Sequence, residues 1–164
     1  MAPLPILRYP DPRLKARSVE IGRFDARLAT LAADLAETMR AAPGIGITAA
    51  HAGILERLVV IELDGPASTR VYVNPAIEWS SPETAQHAEG SVSMPGVTDT
   101  VERPARVRVR YRDLSGGEHV EEAGGLLSVC LQHEIDQLDG IFWIERLSRL
   151  KRERIVKRYR KMRD

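Results

Sequence analysis

The chain has 164 residues, which suits one domain with a sizeable apolar core, and its 24 Lys and Arg nearly balance 23 Asp and Glu. No run approaches the roughly 18 apolar residues that a membrane span needs, so no membrane partner is expected. A single Cys excludes an intrachain disulfide framework, and the proline- and charge-rich start lacks the apolar stretch of a secretory signal, so the expected location is the cytoplasm.

The first residues are extended and proline-punctuated through Tyr9-Pro10-Asp11-Pro12. Phe24, Leu28, Leu31, Leu35 and Met39 then recur at a spacing of three or four, which predicts a helix from about Asp25 to Met39. Asp25 is its expected N-cap, with Phe24 stapled onto Leu28. Pro43 and Gly44 close that element and open GIGITAAHAG (44–53), whose glycines suit a loop lining a cleft. Leu58 to Ile61 is a short apolar strand, and Arg70 to Val73 begins another that ends at Asn74-Pro75. From Arg106 to Tyr111, Val107, Val109 and Tyr111 alternate with arginines, the pattern of a half-exposed antiparallel strand. Ser115-Gly116-Gly117 turns the chain back into Glu118 to Glu122. Gly124-Gly125 then precede a helix that ends near Asp139-Gly140. Strands surround one buried helix rather than alternating with helices, which predicts an α+β fold of mostly antiparallel sheets in a single domain, residues 1–164. A basic helix over about 146–163 is expected to follow.

That central helix carries QHEIDQLDG (132–140). The pattern HExxH sets two imidazoles one turn apart toward one metal ion, with the glutamate beside them as general acid/base. Here His133 and Glu134 are present, but the second imidazole position is Gln137. Two more segments bear on the same chemistry. EGSVS (89–93) runs on into Met94-Pro95-Gly96, and GIGITAAHAG precedes it.

Together the three motifs resemble the signatures of the peptide deformylases, QHExDHLxG, EGCLS and GxGxAAxQxG, in order and spacing across nearly the whole chain. The resemblance implies mostly antiparallel sheets wrapped around the HExxH-type helix. It also implies metal-dependent removal of the N-formyl group from the N-terminal methionine of new polypeptides. The family's metal is Fe²⁺ or Zn²⁺, held by the Cys of EGCLS and both His of HExDH, and those positions are Ser91, His133 and Gln137 in this chain. His51 stands where the family's Gln donates to the reacting carbonyl oxygen. Ile45, Leu126, Val129 and Cys130 are implied to line a methionine pocket, and Gly46 and Gly90 to flank the cleft. Glu89 and Arg103 are implied to pair, with Asp136 in a supporting part; from the residues alone, Asp136 is a surface or capping carboxylate.

The substitutions predict a loss. A serine hydroxyl and a glutamine carbonyl are weak donors beside thiolate and imidazole. Complete structural zinc sites bind with roughly 10–16 kcal/mol, and replacing two of three strong ligands forfeits more than half. Tight metal binding and metal-dependent deformylation are therefore expected to be absent or strongly reduced. Glu134 remains able to move a proton, a contribution of about 10²–10⁴ in rate.

Four side chains offer a rescue on paper. His51 as a replacement ligand beside His133 and Glu134 gives an active amidohydrolase on formyl-Met or other N-acyl peptides; the plainer view is that it fills the glutamine's space and hydrogen-bonds locally. Ser91 with His133 and an acid resembles a hydrolytic triad only as any Ser near a His does. Cys130, on the same helix face as His133, sits in an apolar run and reads as a small core residue. His87 reads as a solvated loop or strand-end histidine.

Charge is unevenly divided. Residues 146–164 hold ten Lys or Arg against two acids, a net +8 that leaves −7 for the first 145 residues. A basic terminal helix is a footprint for nucleic acid. With a resemblance to enzymes that act on nascent chains, ribosomal RNA is the expected contact, through phosphates rather than stacked bases. The alternative is a solvated amphipathic helix with Ile144, Leu147, Ile155, Tyr159 and Met162 inward. The functions carried forward are an inactive deformylase-like binder of formyl-methionyl peptides or nascent chains, an amidohydrolase with a rebuilt site, and a non-catalytic peptide- or ribosome-binding module.

Overall fold

The computed structural model of the chain describes residues 3–163. Helix α1 (Ala26–Ala41) starts where Asp25 accepts from the Leu28 N–H at 3.2 Å, as the capping pattern predicts. Strands β1 (Gly46–Thr48), β2 (Leu58–Ile61) and β3 (Arg70–Ser80) follow, then β4 (Thr84–Ser91), β5 (Met94–Pro104), β6 (Arg106–Arg112) and β7 (Glu118–Gly124). The central helix α2 is Gly125–Leu138, and α3 is Arg149–Arg163.

Five strands form one antiparallel sheet in the order β1-β2-β3-β6-β7, and β4 and β5 form a separate hairpin. The short run Leu58-Val59-Val60-Ile61 is apolar throughout because β2 is covered on both faces. Leu58 and Val60 pack with α1 residues Leu28 and Leu35, whereas Val59 and Ile61 pack with α2 residues Leu131 and Ile135. A strand with one wet face alternates; a strand with two dry faces cannot. β6 is the alternating case, with Val107 and Val109 buried and Arg106 and Arg110 outside.

A third cluster joins the β5 residues Met94, Val97 and Val101 to Phe142, Trp143, Ile155 and Tyr159, and so fastens the chain's end to the hairpin. The C-terminal end of α2 is held by Arg57, which donates to the Leu138 carbonyl at 3.1 Å and pairs with Asp139 at 2.7 Å. That places a cation where the helix's last carbonyls point.

Several expectations are corrected. β3 does not stop at Asn74-Pro75: Asn74 takes a left-handed φ of 51°, its amide brackets Ile21, and the strand resumes beyond a bulge to Ser80. The second motif lies on a β-hairpin, so His87 is mid-strand opposite Val101. The basic helix begins at Arg149; residues 143–146 form a separate turn, so Ile144 and Leu147 are buried outside it. Ile155 and Tyr159 are its inward residues, while Met162 is half exposed and lies over Gly96.

Candidate functional site

A cleft of about 340 Å³ opens between β1, the β4–β5 hairpin and α2. The three motifs converge on it. The first contributes Ile45, Gly46 and His51; the hairpin contributes Glu89, Gly90 and Ser91 with Pro95 and Thr98; α2 contributes Leu126, Val129, Cys130, His133 and Glu134. All six implied substrate-contact residues (Ile45, Gly46, Gly90, Leu126, Val129 and Cys130) thus lie on its walls. A Cβ at Gly46 would stand 2.6 Å from Glu134 Oε2, so a side chain there would have to displace that carboxylate.

Behind the cleft, α2 is anchored by a chain of ion pairs. Glu89 accepts from Arg103 through both oxygens and from His133 Nδ1 at 2.9 Å. Arg103 continues to Asp136 at 2.9 Å, and Asp136 accepts two further bonds from Arg146 at 2.8 and 2.9 Å. Asp136 is therefore buried in the middle of a network, not on the surface. Sequence reasoning missed Arg146 because it was counted with the basic tail. Burial opposes the charge on Glu89, but its bonds from His133 and Arg103 overcome that and hold its carboxyl at about 2.

Two buried polar groups, on residues that line the cleft, are left without partners. His51 Nδ1 accepts from the Thr48 N–H at 2.9 Å, so in the neutral ring the hydrogen is on Nε2. That buried Nε2 has no partner, nor does Oε1 of Glu134. The three-residue spacing of Thr48 and His51 forms a capping box around a short turn, Ala49–Ala52, a signal that the sequence carried unread. Burial first, and the charge that a protonated His133 would carry, hold the His51 ring down at about 3. Burial pushes Glu134 up to about 7, against the pull of His133. His133 is itself raised: burial opposes its charge, and Glu134 and Glu89 outweigh that. Burial likewise lifts the Cys130 thiol to about 12, which makes it an apolar wall rather than a nucleophile.

The three positions that resemblance assigns to a metal do not fit one. Gln137 Nε2 donates to the Leu14 carbonyl at 2.6 Å and the residue is not part of the cleft wall. Ser91 Oγ accepts from the Ser93 N–H at 3.1 Å. Of the three, only His133 presents a strong donor, and among the described residues no three His, Cys, Asp or Glu converge on a point where an ion would bind.

An α+β fold that wraps antiparallel strands around an HExxH-like helix, with a glycine-edged cleft beside it, defines a class of small hydrolase folds. The polypeptide deformylase family model matches residues 3–153, and this chain belongs to that family. It is 62% identical over 157 residues to a peptide deformylase-like protein of Brucella melitensis biotype 1, covering 96% of each chain. It is 63% identical over 161 residues to a peptide deformylase-like protein of Rhizobium meliloti, covering 98% of this chain and 94% of that one. The crystal structure of a peptide deformylase from Legionella pneumophila superposes with a TM-score of 0.93 at 36% identity, covering 98% of this chain and 95% of that one. No helix among the described residues is long and apolar enough to cross a membrane.

Proposed function

We propose that this chain keeps the deformylase fold as a holder of peptide N-termini and does not carry out metal-dependent deformylation. The observation that carries the reading is Gln137: its amide faces Leu14 rather than the cleft, while the cleft walls are otherwise complete. A peptide laid along Gly90 would meet backbone groups of the hairpin, in the manner of an added strand. Its first side chain would enter the apolar wall of Ile45, Leu126, Val129 and Cys130. The rebuilt amidohydrolase is the weaker reading, because among the described residues no three His, Cys, Asp or Glu come together to hold a metal ion.

The test is formate release from a formyl-Met peptide, with protein prepared without oxygen and supplied in turn with iron, nickel, cobalt and zinc. The expected result is no release above that of the Glu134→Gln variant. Turnover that disappears in that variant would sink the reading.

A contact between α3 and ribosomal RNA is proposed beside it. Arg152, Arg154, Lys157, Arg158, Arg160 and Lys161 have no carboxylate partner among the described residues, although they crowd one helix at spacings where like charges repel. Such a surface gains most from a polyanion. Ribosome binding that weakens steeply with salt is expected, and salt-independent or absent binding would dispose of it.

A further inference from the structure

Away from the cleft, a second recess of about 730 Å³ lies between the N-terminal segment, the turn that follows α2, and α3. Its size falls within the range of about 300–1,000 Å³ found for small-molecule sites. Five cations line it: Lys15 from the N-terminal segment, and Arg152, Lys157, Arg160 and Lys161 from α3. Two acids share the walls, and both are engaged already. Glu145 accepts from the Phe142 N–H at 2.7 Å, and Glu153 pairs with Arg149 at 3.1 Å. None of the five cations has a carboxylate partner among the described residues. On the outer face of β6, by contrast, the exposed arginines are paired, Arg106 with Glu83, Arg108 with Glu122 and Arg110 with Glu78.

We propose that this recess binds a nucleoside polyphosphate, with its phosphoryl groups on the five cations and its base against the apolar floor. Arg152, Val156 and Arg160 follow at intervals of four along α3 and so share one face, and Lys157 and Lys161 form the neighbouring row. Like charges at that spacing repel one another. A ligand with several negative charges in a short span relieves them together, whereas a lone carboxylate answers one. The two guanidiniums match phosphoryl oxygens through their planar forks, and the lysines add point charges.

The floor selects the rest of the ligand. Tyr9, Phe142, Ile144 and Val156 line it, with Tyr9 stacked on Phe142 at 5.5 Å. Tyr9 and Val156 are only half-buried, so apolar surface stays open in the recess. Such low-dielectric walls strengthen the pull of the cations on an anion between them. A flat base covers that surface, and a bare phosphate does not. An RNA backbone would reach Arg154 and Arg158, which lie outside the recess, as readily as the cations inside it, and would leave the floor uncovered. No residue of the recess lines the cleft, so this inference goes beyond the peptide-holding reading and fails or stands separately from it.

The experiment is calorimetric titration of the full chain with ATP, tripolyphosphate and a short single-stranded RNA. It is run in about 0.15 M salt, where a Debye length of about 8 Å screens distant charges. Saturable binding of ATP is expected, about five-fold or more tighter than that of tripolyphosphate, which is the gain from covering one base. Removing two cations of the recess, with Lys157→Ser and Arg160→Ser together, is expected to weaken ATP binding about ten-fold or more. Removing the same charge outside it, with Arg154→Ser and Arg158→Ser together, is expected to change that binding by less than about two-fold. All four side chains are exposed, so both variants are expected to fold. Equal losses in the two variants overturn the proposal, because ATP would then be reading the overall charge of α3. Tripolyphosphate that binds as tightly as ATP overturns it as well, since the floor would go unused. So does RNA binding without ATP binding, which would assign the cations to the RNA backbone alone.

Discussion

The two sides of α2 are built on opposite terms. On the side away from the cleft, every charge is answered: Glu89, Arg103, Asp136 and Arg146 run as an unbroken chain of pairs, and Gln132 bridges Ser128 and the Pro104 carbonyl. On the cleft side, His51 Nε2 and Glu134 Oε1 are buried with nothing to bond. A satisfied network fixes one geometry, and an unsatisfied pair raises the free energy of the site that holds it. The supports around the positions that the resemblance assigns to a metal are therefore in place, whereas strong ligands at two of those three positions are not.

The strongest way to break this contrast is to rebuild the cleft side. Gln137→His must release Leu14 and Ser91→Cys must supply a thiolate, so each alone is expected to give little. Together they are expected to bind zinc stoichiometrically after gel filtration, with complete sites of that kind worth about 10–16 kcal/mol. A double variant that carries no metal would show that drift extends beyond the ligands themselves.

Removing the satisfied side comes next in size. Arg103→Ala leaves Glu89 and Asp136 buried with one cation fewer each, and is expected to cost about 3–5 kcal/mol in urea unfolding. A cost near that of an ordinary surface substitution would mean that the network is not the anchor described here.

A smaller effect separates the two sides by pH. The folded His51 pKa of about 3 lies below the unfolded value of 6.5, so its contribution is fully present above pH 6.5 and is lost as pH falls toward 3. Each pH unit in that window costs roughly 1.4 kcal/mol at most. Glu89, depressed from 4.5 to about 2, adds its own loss only below about pH 4.5. Comparing urea midpoints of the wild type and His51→Gln at several pH values isolates the first effect. The variant is expected to resist the decline between pH 6.5 and 4.5, and parallel curves would argue that the ring is not held neutral. The smallest change is expected on α3: Arg158→Ser should alter stability by less than about 0.5 kcal/mol while reducing ribosome retention at low salt.

Much of this molecule was legible as pattern. The Phe24-to-Met39 periodicity, the Asp25 cap, the β6 alternation and the α2 boundaries lie within one or two residues of the structure, because each is set by neighbours in sequence. The hairpin holding Glu89 and Ser91 was not legible. Its outer face is wet and its pairing runs over twenty residues, so neither period nor turn residues marked it. The inward reach of Met162 was misjudged for a related reason: spacing on a helix gives a face, and not what lies beneath it.

By itself, the sequence determined the family, the α+β architecture and which residues stand at the positions that the resemblance assigns to a metal, since motifs and periodicities are local properties of the chain. Only the tertiary structure decided where their free atoms go. Whether Gln137 faces the cleft or Leu14, whether Asp136 is a surface acid or the hub between Arg103 and Arg146, and whether Glu134 is answered by a cation all depend on hydrogen bonds between segments far apart in the chain. Such bonds are directional and short, and packing alone brings their partners within reach.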